Sequence, residues 1–166
     1  RNLIGLVRDD AGQFHGPGVS HLAMGSVHWR HETSHLSGPD FHGTFPRITL
    51  IDGLRSASFD NHGGNTRDLP NHLDGLVYWN FAVTDDPLVD FDFWELLEDE
   101  PDRPYGPLTA VKPIIVGLHG SEMSFATDSV GRLESLGKPV LPESLYEAQL
   151  ELRLGYRPDW IDRVLK

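Results

Sequence analysis

The sequence has no cysteine. Disulfides, zinc–thiolate centres and thiol nucleophiles are therefore excluded. It also lacks a long apolar run. The longest, Pro113–Leu118, falls far short of the ~20 residues that carry a helix across a bilayer, so no membrane partner is expected. Basic residues are scarce, 14 Lys and Arg against 25 Asp and Glu, for a net charge of −11 with histidine neutral. A surface of that sign repels nucleic-acid phosphates and anionic lipid. The acidity is local: Asp85 to Arg103 holds nine acids and one arginine, a net of −8, leaving −3 for everything else. The chain opens at Arg1 without Met or a signal segment, and reads as one domain cut from a longer chain.

Turn formers and histidine are plentiful. The 166 residues include 17 Gly, 12 Pro and 9 His. The first two-thirds read as short strands between turns: Asn2–Val7, Val19–Met24, Ser26–Arg30, Arg47–Asp52, Gly75–Val83 and Lys112–Leu118. Leu22, Ile48, Leu76 and Ile114 recur at intervals of 26, 28 and 38 residues, and the longest interval contains the acidic stretch. Such spacing fits stacked repeats, with a sandwich or barrel as the competing all-β solution. Residues 1–135 are thus read as β-structure, with 85–103 an inserted loop that Phe91, Phe93 and Trp94 pin to the body.

The last thirty residues differ. Pro142–Gly155 reads as a helix. Ser144 and Glu147 have capping-box spacing, and Gly155 sits where a helix-ending glycine belongs. Leu145, Ala148 and Leu152 share one face, flanked by Leu150 and Leu154, although Leu150–Leu154 also alternates as a strand would. Pro158–Asp162 suggests a second short helix. Residues 136–166 are accordingly expected to form a helical cap over the exposed last strand.

Several constellations could carry chemistry. His31-Glu-Thr-Ser-His35 matches the H-E-x-x-H pattern, in which two histidines one helical turn apart bind zinc and the glutamate activates water. The third ligand of the longer pattern would fall at Phe41, however, and Gly25, Val27, Trp29 and Thr33 are weak helix formers. The segment reads better as strand and turn, with no zinc expected. If strands stack near a 28-residue period, His28, His31, Asp40, His42, Asp60 and His62 gather on adjacent strands, where carboxylate and imidazole could serve acid–base chemistry. The alternative is a polar turn region whose side chains satisfy backbone groups. Trp29, Tyr78 and Trp79 are candidate platforms for sugar rings. Alternation puts Tyr78 and Asn80 on one face, Trp79 and Phe81 on the other. The stretch Asp85–Glu100 could hold calcium through its carboxylates, although it lacks an Asp-x-Asp-x-Asp-Gly loop.

Three blocks then suggest a family. They are His31-Glu-Thr-Ser-His with Gly38-Pro-Asp-Phe-His-Gly-Thr-Phe-Pro-Arg-Ile-Thr-Leu-Ile-Asp52, Leu69-Pro-Asn-His-Leu-Asp-Gly-Leu-Val-Tyr-Trp-Asn-Phe81, and Glu134–Leu150 with Arg153-Leu-Gly155. Together they resemble the DUF4955 domain, found at the C-terminal end of right-handed parallel β-helix proteins of polysaccharide-degrading bacteria. The resemblance implies an all-β, right-handed parallel β-helix with a short C-terminal helical cap. It implies a secreted, periplasmic or cell-surface setting, with a polysaccharide and the remainder of the longer chain as partners. It supplies no catalytic residues. The expected role is hydrolase or lyase action on a polysaccharide, or else a structural end-cap or glycan-binding module.

Overall fold

A computed structural model describes residues 2–11, 16–33, 38–59, 69–85, 87–94 and 109–166. Among these, the strands in chain order are β1 (Asn2–Gly5), β2 (Arg8–Asp9), β3 (Gly18–Ser20), β4 (Met24–Trp29), β5 (Glu32–Thr33), β6 (Asp40–His42), β7 (Arg47–Asp52), β8 (Arg55–Ser56), β9 (Leu76–Trp79), β10 (Ala82–Val83), β11 (Leu88–Phe91), β12 (Ile114–Val116), β13 (His119–Gly120), β14 (Met123–Phe125) and β15 (Arg132–Glu134). Two short helices follow, α1 (Leu145–Leu154) and α2 (Asp159–Val164).

The chain is mostly β, and its sheets are parallel. One sheet has six strands in the order β1-β4-β7-β9-β12-β15, and a second has five in the order β2-β5-β8-β10-β13. The pairs β3–β6 and β11–β14 are also parallel. Each of the first five strands of the large sheet is therefore followed by a turn, after which the chain adds a strand to the second sheet.

The turn has a common physical device. Leu6, Arg30, Gly53, Asn80, Gly117 and Ser135 each follow a large-sheet strand, and each has positive φ, between 49° and 73°. A single left-handed residue redirects the chain. Its amide still continues the ladder: Leu6 donates to Trp29 O, Arg30 to Asp52 O, Gly53 to Trp79 O, Asn80 to Val116 O and Gly117 to Glu134 O, at 2.8–2.9 Å. At these five corners no backbone donor is lost. Gly117 is required here for space as well, because a Cβ on it would lie 2.3 Å from Asn80 Oδ1.

The main core lies between the sheets. Phe59 is its centre, with the rings of Tyr78, Phe81, Phe91, Phe93 and Phe125 at centroid distances of 4.8–6.1 Å. Leu54, Leu76, Ile115 and Leu118 fill in around them. Full burial of each large apolar side chain stabilises by about 1.5–3 kcal/mol before entropy is counted.

Several expectations need correction. Gly75–Val83 is two strands, because Asn80 turns the chain. Tyr78 and Phe81 both enter the core, where plain alternation set them on opposite faces. Val19–Met24 is broken at His21 and Leu22, which have φ of 47° and 56°, and β4 runs through Gly25. The acidic stretch contains a strand, β11, where a loop is expected. Phe93 does enter the core, and Trp94 Nε1 donates to Ala110 O at 2.9 Å. Its residues 86 and 95–103 lie outside the described residues.

The helical segment also sits elsewhere than expected. Ser144 caps α1 by accepting from the Glu147 amide, and Gly155 ends it with φ of 77°. Yet its buried residues are Glu147 and Leu150, and Leu152 is 86% exposed. Leu150 packs with Trp29 and with Ile161 of α2, and α1 contacts β7. The segment thus lies against the face of the large sheet, while all three residues of β15 remain exposed. Fixed polar partners on β4, β7 and the corners draw it there.

Candidate functional site

Strand β6 sends Phe41 into the core, edge-on to the buried His72 ring at 5.5 Å. Alternation turns Asp40 and His42 the other way. The Asp40 side chain is nearly buried, that of His42 is 37% exposed, and His42 Nε2 donates to the Asp40 carboxylate at 3.0 Å. A buried carboxylate that orients a half-exposed imidazole is the arrangement a general acid or base needs. Its partner strand β3 comes very close: a Cβ on Gly18 would lie 1.6 Å from Asp40 O. Only glycine allows that pairing, so Gly18 sets the position of the Asp40–His42 pair.

His28 and His31 form a different pair. His28 lies on β4 between Ile4 and Ile51 in register, and is 1% exposed. Neither of its ring nitrogens has a hydrogen-bond partner. Burial, with the neighbouring His31, pushes its pKa down to about 4. His31 is also buried, its ring 5.6 Å from that of His28. Its Nε2 donates to Ile4 O at 3.0 Å. Burial lowers its pKa too, against the pull of that carbonyl. Both histidines are sealed inside, where a polymeric substrate does not reach. Residues 32–33 are strand, so the helical zinc arrangement is not formed there. His35, Asp60 and His62 lie outside the described residues. Among the described residues, no group of three or more His, Asp or Glu is placed to hold a metal.

The proposed sugar platforms are mostly occupied. Tyr78 is a core ring. Trp29 is buried against Tyr146 and Trp160, with Nε1 donating to Glu147 at 2.9 Å. Trp79 is half-buried and donates to Pro142 O at 2.8 Å. Both tryptophans hold the C-terminal segment.

Two constellations were missed by sequence reading. In the first, Asp52, Asn80 and Arg30 reach the C-terminal segment across 60 to 117 residues of chain. In the second, Arg55, Ala82 and His119 stand side by side on β8, β10 and β13. Each is two residues past a left-handed corner, at 53, 80 and 117. That shared offset was the available signal, but non-glycine corners conceal it. A groove of about 550 Å³ lies over this row.

The family model described as "Domain of unknown function (DUF4955)" matches residues 12–164. No curated protein and no solved structure matches the chain.

Proposed function

This chain belongs to the DUF4955 family, and on that premise we propose that it is a right-handed parallel β-helix segment of an exported bacterial protein that acts on a polysaccharide. Hydrolysis and elimination both need a placed proton donor or acceptor. The observation that carries the reading is the Asp40–His42 pair, with its buried carboxylate and half-exposed imidazole 3.0 Å apart. His42 moves the proton and Asp40 orients it. Asp60 and His62 remain candidate partners from the same part of the sequence. Parallel strands stacked one per turn align side chains in rows ~4.8 Å apart, a surface suited to an extended polymer, and further strands of a longer chain would continue it. Calcium, if used, would come to the acidic stretch.

The burial of His28, His31, Trp29 and Tyr78 favours a second reading, a non-catalytic end module that binds glycan or completes the stack. Assay of the parent protein and of this chain on a polysaccharide panel separates the two. In the first reading, His42→Ala and Asp40→Asn each lower turnover by two or more orders of magnitude. Wild-type turnover in both variants, with unchanged circular dichroism, leaves the module reading.

A further inference from the structure

The row Arg55, Ala82 and His119 has a gap at its middle. Parallel strands are ~4.8 Å apart, so the guanidinium and imidazole flank a methyl group across roughly 10 Å. One wall is the segment Pro139–Leu141. That wall is held fast. Asn80 Oδ1 accepts from the Val140 amide at 2.7 Å, and Asn80 Nδ2 donates to Val140 O and Glu143 O at 2.9 Å each. The groove therefore exists without a ligand to shape it, and its volume is in the range of small-molecule sites.

Its charge runs against that of the chain. Among the described residues, Arg30 and Arg55 line it with a single acid, Glu143, in a protein of net charge −11. Arg30 is committed to Glu147 at 2.7 Å and to Glu143 at 3.3 Å. Among the described residues Arg55 has a loose pair with Glu32, at 3.8 Å, and its side chain is 61% exposed. His119 Nδ1 donates to Gly117 O at 2.7 Å, which fixes the ring and makes Nε2 its remaining polar atom. The rest of the lining includes Pro139, Val140 and Leu141. A guanidinium fork pairs with a carboxylate through two parallel hydrogen bonds, and an apolar wall suits the C–H face of a ring.

We propose that this groove binds the carboxylate-bearing unit of an acidic polysaccharide, with Arg55 on the carboxylate and His119 on a ring hydroxyl. The inference rests on the polysaccharide reading above and names its substrate class. Titration calorimetry of this chain with a galacturonic acid oligomer, the matching neutral galactose oligomer and sodium sulfate tests it. The acidic oligomer should bind at least tenfold tighter than the neutral one, about 1.4 kcal/mol. Arg55→Ala should remove that preference, Arg55→Lys should keep part of it, and Ala82→Leu should block binding while leaving the charge in place. Equal affinity for acidic and neutral oligomers overturns the acidic class and leaves the glycan reading standing. Sulfate binding as tight as the acidic oligomer, or a preference that survives Arg55→Ala, overturns the site. Silence from both oligomers counts against this inference, and the broader panel then decides the glycan reading.

Discussion

Asp52 and Ser144, 92 residues apart, meet where β-structure gives way to helix: the Ser144 hydroxyl donates to the Asp52 carboxylate. The same carboxylate accepts the amides of Leu145 at 3.0 Å and Tyr146 at 2.9 Å. The first amides of a helix have no partner within it. Here a buried acid on the large sheet supplies the acceptor. Burial pushes the Asp52 pKa up, while its three donors and Arg30 oppose that shift. Because both residues serve one cap, their effects should not add. Asp52→Asn is expected to cost about 1–3 kcal/mol, and Ser144→Ala about 1 kcal/mol. The coupling in a double-mutant cycle should exceed about 0.5 kcal/mol. Additive losses in denaturant unfolding would show that the two act apart.

Glu147 continues the anchor. Its carboxylate takes Trp29 Nε1, Arg30 Nε and Arg157. Burial would raise its pKa, but the donors from Arg30, Arg157 and Trp29 outweigh burial and hold it below the ordinary value. The stability this confers is present above the unfolded carboxyl pKa of 4.5 and is lost as pH falls through the folded value. Glu147→Ala leaves Arg30 and the Trp29 N–H without their shared acceptor. An interior pair broken on one side costs about 3–5 kcal/mol, and partial exposure of Arg30 places this site toward the low end. Hydrogen exchange should rise across residues 139–165 first. A loss spread evenly over the sheets would contradict this anchoring role.

His28 predicts a dependence on pH of the opposite chemical type. Its folded pKa of about 4 lies below the ordinary 6.5, so the unfolded chain binds the proton more readily between those values. The sign follows: the contribution is complete above pH 6.5 and is lost as pH falls toward 4, on the order of 3 kcal/mol in all. His28→Leu removes the buried ring nitrogens that lack partners. It should flatten the melting temperature over that window and raise stability at pH 5. A variant whose acid sensitivity equals that of the wild type would locate the effect elsewhere.

How much of this was legible in the sequence depends on distance along the chain. Ser144, Glu147 and Gly155 were readable as cap and stop because capping is local. The second half of the capping box was not. Glu147 turns away from its own helix to Trp29 and Arg30, and Asp52 takes the amides of Leu145 and Tyr146. Corners at Gly53 and Gly117 announce themselves, whereas Leu6, Arg30 and Asn80 in the same conformation do not. Unmarked corners explain why Gly75–Val83 read as one strand, and why Arg55, Ala82 and His119 were never grouped. β11 was masked by the acids around it, although it holds only one, Asp90. Asp40 and His42 were legible as a carboxylate and an imidazole two residues apart. Their separation from the buried His28–His31 pair was not, because strand register decides which side a residue faces.

Gly18 offers the most direct handle on the Asp40–His42 pair without touching either residue. β3 and β6 pair in register, Gly18 with Asp40 and Ser20 with His42. The φ of Gly18 is not in the left-handed region, so the demand is for space alone. A Cβ there would sit 1.6 Å from Asp40 O and 2.5 Å from its carbonyl carbon, and backbone atoms cannot step aside as a flexible side chain can. Gly18→Ala must therefore separate the two strands locally. A loss of about 1–3 kcal/mol is expected from such overpacking, with the rest of the parallel sheets intact by circular dichroism. If Asp40 and His42 do acid–base work, turnover by the parent protein should fall by more than the stability loss explains, because a shift of about 1 Å in a catalytic group can cost about a hundredfold. Ala at position 18 with wild-type turnover and wild-type melting would mean that β3 and β6 do not approach this closely in solution.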